Sequence, residues 1–163
     1  MFEIGKTFAR EWIDTVKYNK HTEISKLLDA NICFHSPVVY NLYNDKDTVL
    51  LILQNVFEVF QDFEYVNDGY VSIKPSNISI NQEKENNNLM KEKDNFIGVT
   101  LLFKAKVLDI DSGKLINIEG VDIFEVNQFG VAVYLKVIIR PLNGLLALSK
   151  QMRTRLLGQS SKL

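Results

Sequence analysis

The sequence predicts an α+β fold: helices first, then a run of long antiparallel strands, then a closing helix. Three observations carry this. Val49, Leu50, Leu53, Val56, Phe57 and Phe60 fall at offsets 0, 1, 4, 7, 8 and 11, the stripe of an amphipathic helix. After Asp62 the apolar period changes to two. Phe96 to Leu108 reads as a long strand: Ile97, Val99, Leu101, Phe103, Ala105 and Val107 share one face, and Thr100, Lys104 and Lys106 lie on the other. Helices grouped before the strands, rather than alternating with them, favour an antiparallel α+β sheet over a parallel one.

The elements follow in order. Phe8, Ala9, Trp12, Ile13 and Val16 define a helix over residues 6–19. Thr22 is placed to cap a second, short helix with Ile24, Leu27 and Leu28 on its apolar side. Ile32 to Ser36 reads as a strand ended by Pro37, and residues 38–44 as a loop carrying Tyr40 and Tyr43. Asp45 or Asp47 caps the long helix. Phe63, Tyr65, Tyr70, Val71 and Ile73 mark strands around Asn67-Asp68-Gly69, and Pro75 confines the second of them to an edge or a bulge. Residues 81–95 are too polar to bury apolar area that offsets ordering, and read as a mobile surface insertion. Asp111-Ser112-Gly113 is a turn between two long strands, and Asn127-Gln128-Phe129-Gly130 another. Arg140-Pro141 ends the last strand. Leu142, Leu145, Leu146, Leu148 and Met152 mark the final helix, with a frayed tail at 159–163.

A chain of 163 residues, 46% hydrophobic, is the size of one domain, expected here over 1–163. Cys33 is the single cysteine, which excludes an internal disulfide and a cysteine-cluster metal site. A net charge of −1 gives no electrostatic footprint for nucleic acid. The first residues lack the apolar core of a signal peptide, and no apolar run approaches the roughly 20 residues a membrane helix needs. The expectation is a cytoplasmic protein without a membrane or nucleic-acid partner. The two histidines, His21 and His35, lie far apart without a metal-ligand spacing, so no metal and no cofactor is expected. Nucleophile-elbow, phosphate-loop and dinucleotide fingerprints are absent from the sequence.

The residue that stands out is Asp122, in Ile118-Glu119-Gly120-Val121-Asp122-Ile123-Phe124. If Val126 pairs with Val131 across the turn, Phe124 meets Val133, Asp122 meets Leu135 and Gly120 meets Val137. That face is apolar except for Asp122. Glu119, Glu125, Tyr134 and Lys136 lie on the other face, so Asp122 points inward, with Gly120 leaving room beside it. A bulge in the hairpin would reverse this. An inward carboxylate has three readings: an acceptor for a buried donor such as the Trp12 indole, the polar anchor of a ligand pocket, or a general acid or base tuned by apolar surroundings.

The order of elements, together with Phe34-His35-Ser36-Pro37, Glu119-Gly120-Val121-Asp122 and Arg140-Pro141-Leu142, resembles the SnoaL-like branch of the nuclear transport factor two-like superfamily. The resemblance covers nearly the whole chain and departs at 80–95, where relatives have a short turn. It implies a curved sheet wrapped around the N-terminal helices as a cone, with a pocket inside. It also implies a small oxygenated hydrophobic ligand, and acid–base chemistry of the isomerase, cyclase or dehydratase kind without a cofactor. Asp122 and His35 are then the candidate catalytic pair, if both reach the cone, with a tyrosine as the alternative partner of Asp122. Trp12, Phe8, Phe57, Phe60, Phe103 and Phe124 would line the pocket, and Tyr40 would rim it. His35 has a second reading as a half-buried histidine bonded to backbone, and Arg140 is read as an anchor for the final helix that pairs with a carboxylate. The alternative function is a non-catalytic interaction module, a homodimer through an outer sheet face that carries Val121, Ile123 and Tyr134.

Overall fold

α1 (Phe2–Lys17) buries Phe8, Ala9, Trp12 and Val16 along one side, the side its helical period marks out. It begins at Phe2 rather than at residue 6. The structure is a computed structural model and describes residues 1–74 and 96–160. The expectations for Pro75 and for the insertion at 81–95 lie outside the described residues, as does the His21 side chain.

A 3-10 turn (His21–Glu23) leads into α2 (Ile24–Leu27), and Thr22 sits inside that turn rather than capping a helix. Leu28, expected on the helix, opens β1 (Leu28–His35) instead. Ser36-Pro37 ends the strand. The loop beyond it contains a short strand, β2 (Leu42–Tyr43), with Tyr43 opposite Phe34. α3 (Lys46–Val59) is capped by Asp45, whose carboxylate accepts from the Thr48 amide at 2.9 Å. Val49 and Leu53 on its apolar stripe are fully buried, and Phe60 stands just beyond the last turn.

The sheet comprises β3 (Gln61–Tyr65), β4 (Tyr70–Lys74), β5 (Phe96–Asp109), β6 (Lys114–Val126) and β7 (Ala132–Arg140), with β1 and β2. Its order is β2-β1-β7-β6-β5-β3, and β4 also pairs with β5. All pairings are antiparallel except β1 with β7, so the sheet is mixed where the sequence pattern predicts an antiparallel one. The reason is topological. β1 returns to the sheet beside β7 only through the whole intervening chain, and alternation within a strand does not encode its direction relative to a distant partner. α4 (Leu142–Ser160) follows a cis Arg140-Pro141 peptide and stays helical through Ser160, into the stretch expected to fray.

Ile97, Val99, Leu101, Phe103, Ala105 and Val107 are all buried, as the alternation along β5 predicts. They contribute to two apolar clusters. The first gathers Phe8, Trp12, Phe34, Val49, Leu53, Phe124 and Leu135; the second gathers Val59, Phe103, Ile118, Ile139, Leu148 and Met152. Ile52, Phe63, Tyr65 and Val137 pack against both. Among the described residues no helix is long and apolar enough to cross a membrane.

Candidate functional site

The β6–β7 hairpin decides where Asp122 points. Its register is not the simple one. Val126 pairs with Ala132, and an extra residue then enters β7, so that Phe124 meets Leu135, Asp122 meets Val137 and Gly120 meets Ile139. The turn and the bulge each contribute one residue of displacement. Together they move the partners by two and leave the parity intact. Asp122 therefore keeps to the inner face, 7% exposed, between Leu101 on β5 and Val137 on β7. Gly120 does not leave empty room there: a Cβ would sit 2.3 Å from Phe103 Cζ and 2.6 Å from the Ile138 carbonyl oxygen. The Phe103 ring occupies the space that the missing side chain vacates.

Where the two clusters meet, a cavity opens. It is bordered by Trp12 of α1, Phe34 and Pro37, Leu53, Val56 and Phe57 of α3, Phe60, Phe63 of β3, Phe103 of β5, Asp122, Leu135, Val137 and Ile139 of the hairpin, and Leu148 of α4. The Phe60 and Phe63 rings stack with centroids 5.7 Å apart, and Phe63 stacks on Phe103 at 5.1 Å. The room for water centres is about 40 Å³. One water occupies about 10–15 Å³ on that measure, so the space fits a few waters or a small fragment. A larger ligand requires the phenylalanines or α4 to move.

Asp122 is the one ionisable side chain on this lining. Its Oδ2 accepts from the Tyr65 hydroxyl at 2.7 Å, and the Tyr65 oxygen accepts in turn from the Trp12 indole Nε1–H at 2.7 Å. Burial raises the Asp122 pKa to about 7, against the lowering effect of the Tyr65 hydrogen bond. Burial, the adjacent Asp122 charge and the bond to it push the Tyr65 phenol well above its usual range, which keeps it protonated.

The structure sorts the candidate residues. Trp12, Phe57, Phe60 and Phe103 border the cavity with Asp122. Phe8 and Phe124 do not: they lie buried behind Trp12, with Phe124 edge-on to it at 4.8 Å. Tyr40 is 98% exposed and does not border the cavity. His35 pairs with Lys136 of β7, on the sheet face opposite Asp122, where its ring lies 5.2 Å from that of Tyr134. The condition for a His35–Asp122 shuttle, that both reach the cone, is not met. Burial and the Lys136 charge lower the His35 pKa, which keeps it neutral. Arg140 pairs with a carboxylate, that of Glu119 opposite it on β6. Among the described residues no three His, Cys, Asp or Glu side chains gather as a metal site.

Tyr65 is the site residue that the sequence pattern left in the background. Its signal was a tyrosine on the same face of a strand as Phe63: a phenol facing a core needs a partner. Indole and carboxylate do not meet directly, as the simplest reading of Asp122 would have it. They are joined through Tyr65.

No family model and no curated protein matches the chain. Solved structures do. A structure described as a steroid delta-isomerase from Pseudomonas aeruginosa aligns with a TM-score of 0.73 at 23% identity, over 97% of this chain and 95% of that one. An uncharacterised protein with a cystatin-like fold from Silicibacter pomeroyi aligns at 0.66 and 23% identity, over 91% and 84%. A protein described as a SnoaL-like polyketide cyclase from Shewanella denitrificans aligns at 0.53 and 14% identity, over 93% and 98%. With N-terminal helices on one face of a curved mixed sheet and a closing C-terminal helix, the chain shares the cystatin-like α+β fold of these structures.

Proposed function

We propose that this protein holds a small, uncharged, oxygen-bearing apolar molecule in the cone cavity, and that Asp122 transfers a proton to or from it. The observation that carries this is the Asp122 carboxyl: the one ionisable group on an otherwise apolar lining, with a pKa of about 7. A group poised near neutrality serves as an acid when protonated and as a base when ionised. Proton transfer beside a carbonyl or at a leaving hydroxyl is the chemistry such a group performs without a cofactor, in an isomerase, cyclase or dehydratase reaction. Structural neighbours described as a steroid delta-isomerase and as a polyketide cyclase support that class. Tyr65 takes the partner's place for which His35 or a tyrosine was the sequence candidate.

The test is a thermal-shift screen of small ketones, enols and terpenoid alcohols on the wild type and on Asp122→Asn. Hits from it are then followed by NMR for deuterium exchange at the carbon beside the carbonyl. Ligands that stabilise the wild type more than the variant, with exchange faster in the wild type, support the proposal. Equal shifts and equal exchange in both remove Asp122 from the function.

A second reading has its own observation. The outer face carries half-buried Val121, Ile123 and Tyr134 beside Ile138, which is 49% exposed, while the cavity is small. On this reading the chain is a non-catalytic module that pairs with a second copy through the sheet. Light scattering at working concentration separates the outcomes: a monomer counts against this reading, and a dimer lost on Ile138→Lys supports it.

A further inference from the structure

We infer that Trp12 and Tyr65 are positioning residues that fix the acid proton of Asp122 on Oδ1, the carboxyl oxygen at the cavity. The argument starts from what each group is able to donate. An indole N–H donates and never accepts. The 2.7 Å contact between Trp12 Nε1 and the Tyr65 hydroxyl therefore has one direction, toward the phenol oxygen. The phenol proton cannot point back along it. Its acceptor among the described residues is Asp122 Oδ2, at 2.7 Å.

Tyr65 thus donates to Oδ2 whether Asp122 is charged or neutral. In a neutral carboxyl the carbonyl oxygen is the stronger acceptor and the hydroxyl oxygen the weaker, so the oxygen that takes the Tyr65 bond stays the carbonyl and a neutral Asp122 carries its proton on the other. Oδ1 has no hydrogen-bond partner among the described residues. It is not an enclosed orphan either, since the fully buried side-chain polar atom without a partner among those residues is Asn67 Nδ2. That puts Oδ1 at the surface of the cavity that Asp122 borders. Among the described residues no charged side chain besides Asp122 borders the cavity there. The influences on its titration are burial and the Tyr65 hydrogen bond.

The consequence deepens the proposed function and rests on it for its use. The site offers a ligand a single O–H, at one place and in one orientation, and after transfer a single carboxylate oxygen. A ligand with one oxygen at an otherwise hydrocarbon end fits this. A ligand with two adjacent oxygens leaves one of them unpaired in an apolar wall.

The experiment needs no ligand. Near pH 5.5, between the ordinary carboxylate range and the Asp122 titration, the infrared carbonyl band of protonated Asp122 is identified by its loss in Asp122→Asn. The wild-type band is expected at the lowered frequency of a hydrogen-bonded carbonyl. Tyr65→Phe is expected to raise that frequency and to raise the apparent pKa of the same group. Trp12→Phe frees the phenol and is expected to split the band as the proton samples both oxygens. Packing changes alone would shift the melting temperature and leave the band in place. A wild-type band at the free-carbonyl frequency, or one unmoved by Tyr65→Phe, overturns the inference, and an unsplit band in Trp12→Phe removes the indole from it. If that variant does not fold, the wild type still decides. Trp12 is the single tryptophan, and its one indole N–H signal must resist exchange into D2O; rapid exchange overturns the role of the indole. A failed ligand screen with shifted bands would sink the proposed function and leave this inference standing.

Discussion

Asp122 couples the fold to pH. Its pKa is raised from 3.8 to about 7 by burial, so the folded state binds the proton more tightly than the unfolded chain does. The sign follows: this contribution to stability is fully present below about pH 4 and is lost as pH rises through about 7. Asp122→Asn keeps the shape and cannot ionise. Urea melts at a series of pH values should show wild-type stability falling across that window and the variant nearly flat, with the variant more stable at pH 8 by about 2–4 kcal/mol. A wild-type curve without that slope would mean that the carboxylate is solvated. The Tyr65 bond moderates the effect by favouring the ionised form. The sequence offered Trp12 as a donor to Asp122 but not Tyr65 as the link between them, because the three residues sit on three elements and meet only after the sheet closes.

At the scale of elements, what the sequence showed depended on the range of the information. The inner face of β5 was legible because every second residue from Ile97 to Val107 is apolar. The Asp45 cap was legible because a cap is a local contact. The hairpin register was not, since a bulge costs little locally and leaves no mark in the alternation. The inward direction of Asp122 survived because the two displacements summed to an even number. His35 was placed on a strand, but which face of β1 meets the cone depends on its parallel pairing with β7. Gly120 was read as spare room, whereas Phe103 fills it. Gly120→Ala should therefore cost about 1–3 kcal/mol, since the new methyl meets the Ile138 carbonyl as well as a ring. Chemical denaturation measures that. A neutral result would show that β7 shifts freely at this point, and would weaken the account of the cavity wall.

Across the whole molecule, α4 closes one wall of the cavity. Leu148 reaches the lining from it, while its exposed side is held by Arg155 to Glu58 and by Lys150 to Asp111. Surface pairs of that kind contribute little, so the packing of Leu148 and Met152 holds the helix. Leu148→Ala should lose about 2–5 kcal/mol and enlarge the cavity, with tighter retention of small apolar probes such as benzene or xenon. Binding unchanged from the wild type would show that α4 collapses into the gap. The parallel contact of β1 with β7 has a consequence for the chain as it is made. Phe34 pairs with Leu135, and 135 − 34 places them 101 positions apart in sequence. At about 5–20 residues per second, a ribosome that has finished β1 needs roughly 5–20 s more to deliver its partner. During that interval Phe8, Trp12, Val49 and Leu53 have no β7 to close over them. The nascent helices are thus a natural client for a chaperone that shields apolar surface until synthesis reaches the last strand.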